Sequence, residues 1–238
     1  SICLIAKLCS RLINLINKRQ RLIIEKFRKC DLAMLKAKIP LTIKRVIKPS
    51  LADIENLPTP LNTGEKQVLD FFCAHLPIEW EIYIQPPLNG LRPDFVLLNP
   101  KFGIAVFEVK DWSSTTEYHH GPNSHRLLMK TASGKTTTTN HQPIDQVNLY
   151  RSEIKDLYCP SMFEKTNFSL ITAGLIFPRW TDKKINQVFN PEIREKKRFE
   201  KKFLNNPISG IEALTEGNIE TVFPNYKTPS PKLEKVNI

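Results

Sequence analysis

Two carboxylates and an ammonium stand at the ends of an apolar hairpin in "RPDFVLLNPKFGIAVFEVKDW", Arg92 to Trp112. Asp94 opens the first strand, an Asn-Pro-Lys turn joins the two, and Glu108 and Lys110 close the second. Strand alternation places Ile104, Val106, Glu108 and Lys110 on one face, and Ala105, Phe107 and Val109 on the other. Glu108 and Lys110 are then neighbours about 6–7 Å apart at the strand rise. Antiparallel pairing brings Asp94 to the same edge. Two carboxylates with room for water suit Mg²⁺, a hard cation that takes oxygen ligands. Such a cation lowers the pKa of bound water and offsets charge building on a scissile phosphate. A lysine beside it can orient the water or stabilise the transition state. The same residues also fit a structural ion pair, with Asp94 capping the turn after Pro93. Their position on two consecutive strands favours the chemical role.

The surrounding chain supplies the elements that would hold this edge. "KPSLADIENLPTPLNTGE" (48–65) reads as a proline-bearing linker ending at a helix start, with Asn62 and Glu65 as a capping box. The helix runs from about Gly64 to Leu76, with Leu69, Phe72 and Leu76 on one face. "EWEIYIQPP" (79–87) alternates Trp80, Ile82 and Ile84 against Glu79, Glu81 and Tyr83, a strand with one polar face. After the hairpin, a polar region (113–142) holds one short strand candidate, "HRLLMK". A helix over 142–158 enters through Pro143, and "NFSLITAGLIFP" (167–178) is apolar enough for a central strand. "NPEIREKKRFEKKF" reads as a solvated helix ahead of a frayed Pro/Asn-rich tail. Helix, three strands, helix, strand is the order of a mixed α/β core with helices on both faces.

Charge divides the chain unevenly. The formal net charge is +11, and residues 1–50 hold 13 of the 35 Lys/Arg against only Glu25 and Asp31. Residues 51–238 are therefore balanced, and the excess lies in the N-terminal arm. Lys7 and Arg11 interrupt the arm's apolar run too early for a membrane span, and its basic residues follow the apolar block, unlike a signal peptide. The arm is compatible with a solvated extension, or with an amphipathic basic helix on nucleic acid, lipid or a partner. Five cysteines without a C-x-x-C pair suggest neither a disulfide framework nor a zinc site, and a reducing, cytoplasmic setting is expected. His119, His120, His125 and His141 lack zinc spacing and read as solvated loop residues. "ASGKTTTT" (132–139) contains Gly-Lys-Thr but has Met129 where a phosphate-binding loop needs its first glycine, so it reads as a hairpin turn.

Taken together, "RPD…EVK" resembles the PD-(D/E)xK nuclease core. The string "TGEKQVLDFF…RPDFVLLNPKFGIAVFEVKDW…QPIDQVNLYRSEI" resembles the nuclease-related domain over about residues 62–178. "QVNLY" is similar to the Q-x-x-x-Y motif of RecB-type nucleases, which lies on a helix after the catalytic strand. Gln146 and Tyr150 share a helical face bordering the apolar arc of Val147, Tyr150, Ile154 and Leu157. A buried Gln146 needs partners, which a DNA phosphate or Lys110 could supply.

The resemblance implies a restriction-endonuclease-like α/β core with a mixed central sheet flanked by helices. It implies Mg²⁺ (or Mn²⁺) on Asp94 and Glu108, with Glu65 as a further ligand or simply a helix cap, and Lys110 as the motif lysine. Asp94, Glu108, Lys110, Gln146 and Tyr150 would form the catalytic set, with Lys110, Gln146, Tyr150 and Arg151 toward nucleic acid. Lys130, Lys135 and Lys155 are the other basic residues placed to help. The expected activity is hydrolysis of DNA in processing, repair or defence; the alternative is an inactive DNA-binding or interaction domain of the same fold. Family domains are often fused to helicases, so a helicase or other DNA-processing partner is expected. The expected division is a basic arm (1–50), a linker (51–61), the nuclease-related domain (62–180) and a C-terminal extension (181–238).

Overall fold

The computed structural model describes residues 44–120, 127–130, 133–138, 142–158, 171–189 and 206–228. The stretch 1–43, the charged segment 190–203, His125 and His141 lie outside the described residues.

Alternating apolar side chains on the hairpin require cover on both faces, and the fold provides it as a three-layer α/β arrangement. A six-stranded sheet runs in the order β1 (Ile47–Lys48), β2 (Glu81–Ile84), β3 (Phe95–Asn99), β4 (Gly103–Val109), β8 (Ile171–Ile176), β9 (Ile208–Ser209). The β2–β3 and β3–β4 pairs are antiparallel; β1–β2, β4–β8 and β8–β9 are parallel. One face carries Tyr83, Val96, Leu98, Ile104 and Val106 against α2 (Pro143–Glu153) through Val147 and Tyr150. The other carries Ile84, Phe95, Leu97, Ala105 and Phe107 against α1 (Thr63–His75) through Val68, Leu69 and Phe72. All seven residues of β4 are buried, as a central strand covered on both sides must be.

Local chemistry accounts for the helix starts. The Asn62 side chain accepts from the Glu65 backbone N–H (2.9 Å), and the Glu65 carboxylate accepts from the Asn62 backbone N–H (3.0 Å), the expected capping box. Pro143 opens α2, where a missing N–H costs nothing.

Four expectations change. The polar region 113–142 forms a separate three-stranded antiparallel sheet, β5 (Glu117–His120), β6 (Leu127–Lys130) and β7 (Thr136–Thr138), not one strand. Its β6–β7 turn contains Gly134 at φ 81°, and Thr136–Thr138 are strand, which agrees with the hairpin reading of "ASGKTTTT". The face of β2 read as polar is covered: Tyr83 is buried, with its hydroxyl donating to Glu81 at 2.8 Å. Leu157 is exposed, because the helix widens to a π turn at Ile154–Tyr158 and the 3.6-residue period is lost.

The fourth change concerns the flanks. Ile47–Lys48, in the stretch read as arm, adds a parallel strand to β2. Arg45 beside it donates to the carbonyls of Leu76, Pro77 and Trp80 at 2.6–3.2 Å. The stretch read as linker forms a 3-10 turn (Leu51–Asn56) with Ile54 and Leu61 buried. From the stretch read as extension, β9 joins the sheet edge, and α4 (Ile211–Thr215) and α5 (Ile219–Val222) follow it, α3 being Asp182–Phe189 after β8. Phe223 packs edge-on to Trp80 and Phe107, and Trp80 Nε1 donates to the Tyr226 carbonyl at 3.1 Å. Each of these segments is short, and its place against the sheet is set by contacts far along the chain, such as Trp80 with Tyr226.

Candidate active site

Register places the carboxylates. Phe95 pairs with Phe107 across β3 and β4, so Asp94 and Glu108 face each other one step beyond the last pair. Asp94 Oδ2 accepts the Val109 backbone N–H at 2.7 Å, which ties the first carboxylate to the end of the second strand. Both acids are buried, at 8% and 6% exposure. Burial, and then the facing Glu108 carboxylate, hold the Asp94 carboxyl well above the usual carboxylate range. Two such groups at one edge call for a compensating positive charge.

Lys110 supplies part of it. Its Nζ lies 2.8 Å from Glu108 Oε1 and 2.8 Å from Gln146 Oε1. Gln146 Nε2 in turn donates to Glu108 Oε1 (2.8 Å) and to Tyr150 Oη (2.6 Å). Lysine, glutamate and glutamine therefore close a triangle from two elements, β4 and α2. The triangle spends the amide of Gln146 on protein partners, and Tyr150, 3% exposed, lies behind it. Burial first, with Glu108 second, raises the Tyr150 phenol. Gln146 and Tyr150 thus orient Lys110 and Glu108. Of the two partners the sequence allowed for Gln146, a phosphate or Lys110, the structure shows Lys110.

Arg151 departs from expectation. It is buried at 8% exposure with Nη2 bonded to Asn206 Oδ1, and Asn206 bonds onward to Asn148. One residue beyond Tyr150 on a helix is a 100° rotation, which carries it off the site's face. Lys130 and Lys155 pair with Glu117 and Asp156.

Glu65 stands at the α1 end of the same edge. Both of its oxygens serve the cap: Oε2 takes the Asn62 backbone N–H and Oε1 the Asn62 Nδ2 at 2.8 Å. Burial raises its pKa, and Glu108 and Asp111 add to the effect. The carboxyl therefore lies within electrostatic reach of Glu108 while fully occupied as a cap.

Two residues escaped the sequence reading. Asp111 accepts the Gly64 N–H (3.4 Å), and Arg179 forks onto it, Nε to Oδ1 at 2.6 Å and Nη2 to Oδ2 at 3.0 Å. A Cβ on Gly64 would meet the Asp111 carboxyl at 2.9–3.0 Å, so the glycine permits this approach. The available signal was topological: β4 and β8 are parallel, so residues just beyond both C-terminal ends meet at one edge. Lys110 N–H donating to the Ile176 carbonyl (2.8 Å) fixes that meeting. Trp112 stacks on Tyr118 (4.9 Å) and abuts Phe177, anchoring the chain directly after Lys110 and Asp111.

The donor set is hard oxygen, and Glu108 Oε2 is buried without a hydrogen-bond partner. A buried acceptor lacking a protein donor is costly unless an ion or a water satisfies it. Asp94 and Glu108 offer two hard oxygen donors of the kind a Mg²⁺-type ion takes, and among the described residues no third His, Cys, Asp or Glu gathers with them.

No helix among the described residues is long and apolar enough to cross a membrane. No curated protein and no solved structure matches the chain. Residues 61–178, which contain α1, the hairpin, α2 and β8, match the family model described as the nuclease-related domain. By that match, and by a mixed sheet that brings Asp94, Glu108 and Lys110 to one edge, residues 61–178 of this chain form a nuclease-related domain.

Proposed function

We propose that this protein is a Mg²⁺-dependent (or Mn²⁺-dependent) nuclease that hydrolyses phosphodiester bonds in DNA. The observation carrying the proposal is the buried Asp94–Glu108 pair, with Glu108 Oε2 unpartnered and Lys110 fixed 2.8 Å from the other oxygen. Asp94 and Glu108 hold the cation, which when bound supplies an acidified water and positive charge at the phosphate. Glu65, occupied by its cap, lends negative charge to the edge and is not a direct ligand in this reading.

Lys110 acts beside them. Two of its three N–H bonds are spent on Glu108 and Gln146, which leaves one for the attacking water or a non-bridging phosphate oxygen. Water attacks phosphorus, one bridging P–O bond breaks, and the products are a phosphomonoester end and a hydroxyl end. Gln146 and Tyr150 keep the ammonium at its station, since a lysine stem free to rotate would lose the alignment on which such catalysis rests. Residues 51–238 carry balanced charge, so the basic N-terminal arm supplies most phosphate contacts. DNA processing, repair or defence suits the activity, in the cytoplasm and beside a helicase or similar partner.

Incubating plasmid and linear DNA with the protein in Mg²⁺, beside Asp94→Ala and Lys110→Ala, tests this. Cleavage by the parent with loss of about 10²–10⁴-fold in each variant is expected, the usual range for removing a preorganised charge or proton-transfer group. Equal cleavage by the variants, or none by the parent, sinks the proposal.

A further inference from the structure

Gln85, just past the end of β2, has no part in the triangle of Lys110, Glu108 and Gln146, yet it lies in the same cross-strand row. Ile84 pairs with Phe95, and the Gln85 N–H donates to the Asp94 carbonyl at 2.9 Å. The row therefore reads Gln85, Asp94, Glu108 across β2, β3 and β4.

Three features of Gln85 are unusual together. It is 6% exposed, its Oε1 has no hydrogen-bond partner, and its φ is +44°. That φ is in the left-handed region, which side chains other than Gly, Asn and Asp rarely adopt. Pro86 follows, and a residue before proline is ordinarily driven to extended backbone. Strained backbone of this kind collects at functional sites, where the surroundings enforce it. A buried amide oxygen without a donor is a second cost.

The two costs share an explanation. Among the described residues, the row Gln85–Asp94–Glu108 holds two buried oxygens without donors, Gln85 Oε1 and Glu108 Oε2, one on each side of Asp94. Amide carbonyl oxygens are accepted ligands for hard divalent cations and for the waters they carry. We propose that Gln85 is the neutral oxygen ligand of the cation site, opposite Glu108 across Asp94; this rests on the metal reading of the preceding subsection. A neutral third ligand adds affinity without adding a third negative charge to a buried pair.

The test is calorimetric titration of the full chain with Mn²⁺ alone, without DNA, for Gln85→Gly, Gln85→Asn, Gln85→Glu and Asp94→Asn. Glycine and asparagine both tolerate the left-handed backbone, so these variants should hold or raise the urea midpoint of unfolding. They should bind Mn²⁺ at least about 10-fold more weakly, the lower bound for loss of a supporting group at a metal site. Gln85→Glu, with equal reach and an oxygen, should bind as tightly as the parent or tighter. Unchanged Mn²⁺ affinity in Gln85→Gly, whatever its stability, overturns the assignment. If Asp94→Asn abolishes binding while Gln85→Gly leaves it intact, Gln85 alone is refuted. A parent that binds no Mn²⁺ refutes the metal reading and this inference together.

Discussion

Replacing Lys110 by Met removes the only ammonium in the triangle with Glu108 and Gln146 while keeping the length of the side chain. The pair it breaks is enclosed: the lysine side chain is 12% exposed and the glutamate 8%, at 2.8 Å. Removing one partner of a buried ion pair costs about 3–5 kcal/mol, because the remaining charge stays buried. At about 2–4 °C per kcal/mol for a chain of this length, Tm should fall by about 6–20 °C. Thermal unfolding followed by circular dichroism in EDTA at pH 8 measures this. Asp94, already held above the usual carboxylate range, can relieve part of the penalty by keeping its proton, so the loss should shrink as pH is lowered. Adding Glu108→Gln to Lys110→Met should recover part of the loss, with a coupling of about 1–3 kcal/mol in the double-mutant cycle. A Tm within 2 °C of the parent at pH 8, or strict additivity, would refute the view that Lys110 compensates a buried carboxylate.

Three further outcomes follow from the same geometry. Asp94 titrates higher in the folded chain than in the unfolded one, near 3.9, so the folded state holds a proton that unfolding releases. Without divalent cation, its contribution to stability is full below about pH 4 and is lost as pH rises through the folded value; a pH series of urea midpoints should show that decline, and Asp94→Asn should flatten it. An unchanged slope in Asp94→Asn would remove Asp94 as its source. Gly174→Ala would set a Cβ 2.4 Å from Phe107 Cε1 in a ring that is fully buried, so it should cost at least the ~1–3 kcal/mol of ordinary overpacking, read as a lower urea midpoint. Asn62→Ala deletes the α1 cap and frees Glu65, and should cost about 0.5–2 kcal/mol by the same measurement.

The part of the site that rests on local periodicity was legible in the sequence. Alternation alone put Glu108 and Lys110 on one face, and the observed division of β4 between the two core layers follows it residue by residue. The Asn62–Glu65 box and the Pro143 helix start are short-range chemistry and were equally visible. Long-range pairing was not. Arg179 reaches Asp111 only because β4 and β8 run parallel, a fact carried by no single segment. The burial of Arg151 depends on Asn206, 55 residues away, and the exposure of Leu157 on a π turn that a 3.6-residue period does not anticipate. Gln85 could not be singled out beforehand, since its left-handed backbone is imposed by the fold and runs against what Pro86 alone would favour.

The central claim is that the Asp94–Glu108 edge is a divalent-cation site. Anomalous scattering from a crystal of the protein soaked in Mn²⁺ tests it most directly. A peak should stand within about 2.0–2.4 Å of oxygens from both Asp94 and Glu108, with Lys110 still against Glu108 Oε1. A protein that takes Mn²⁺ elsewhere, or leaves both carboxylates without metal, would contradict it.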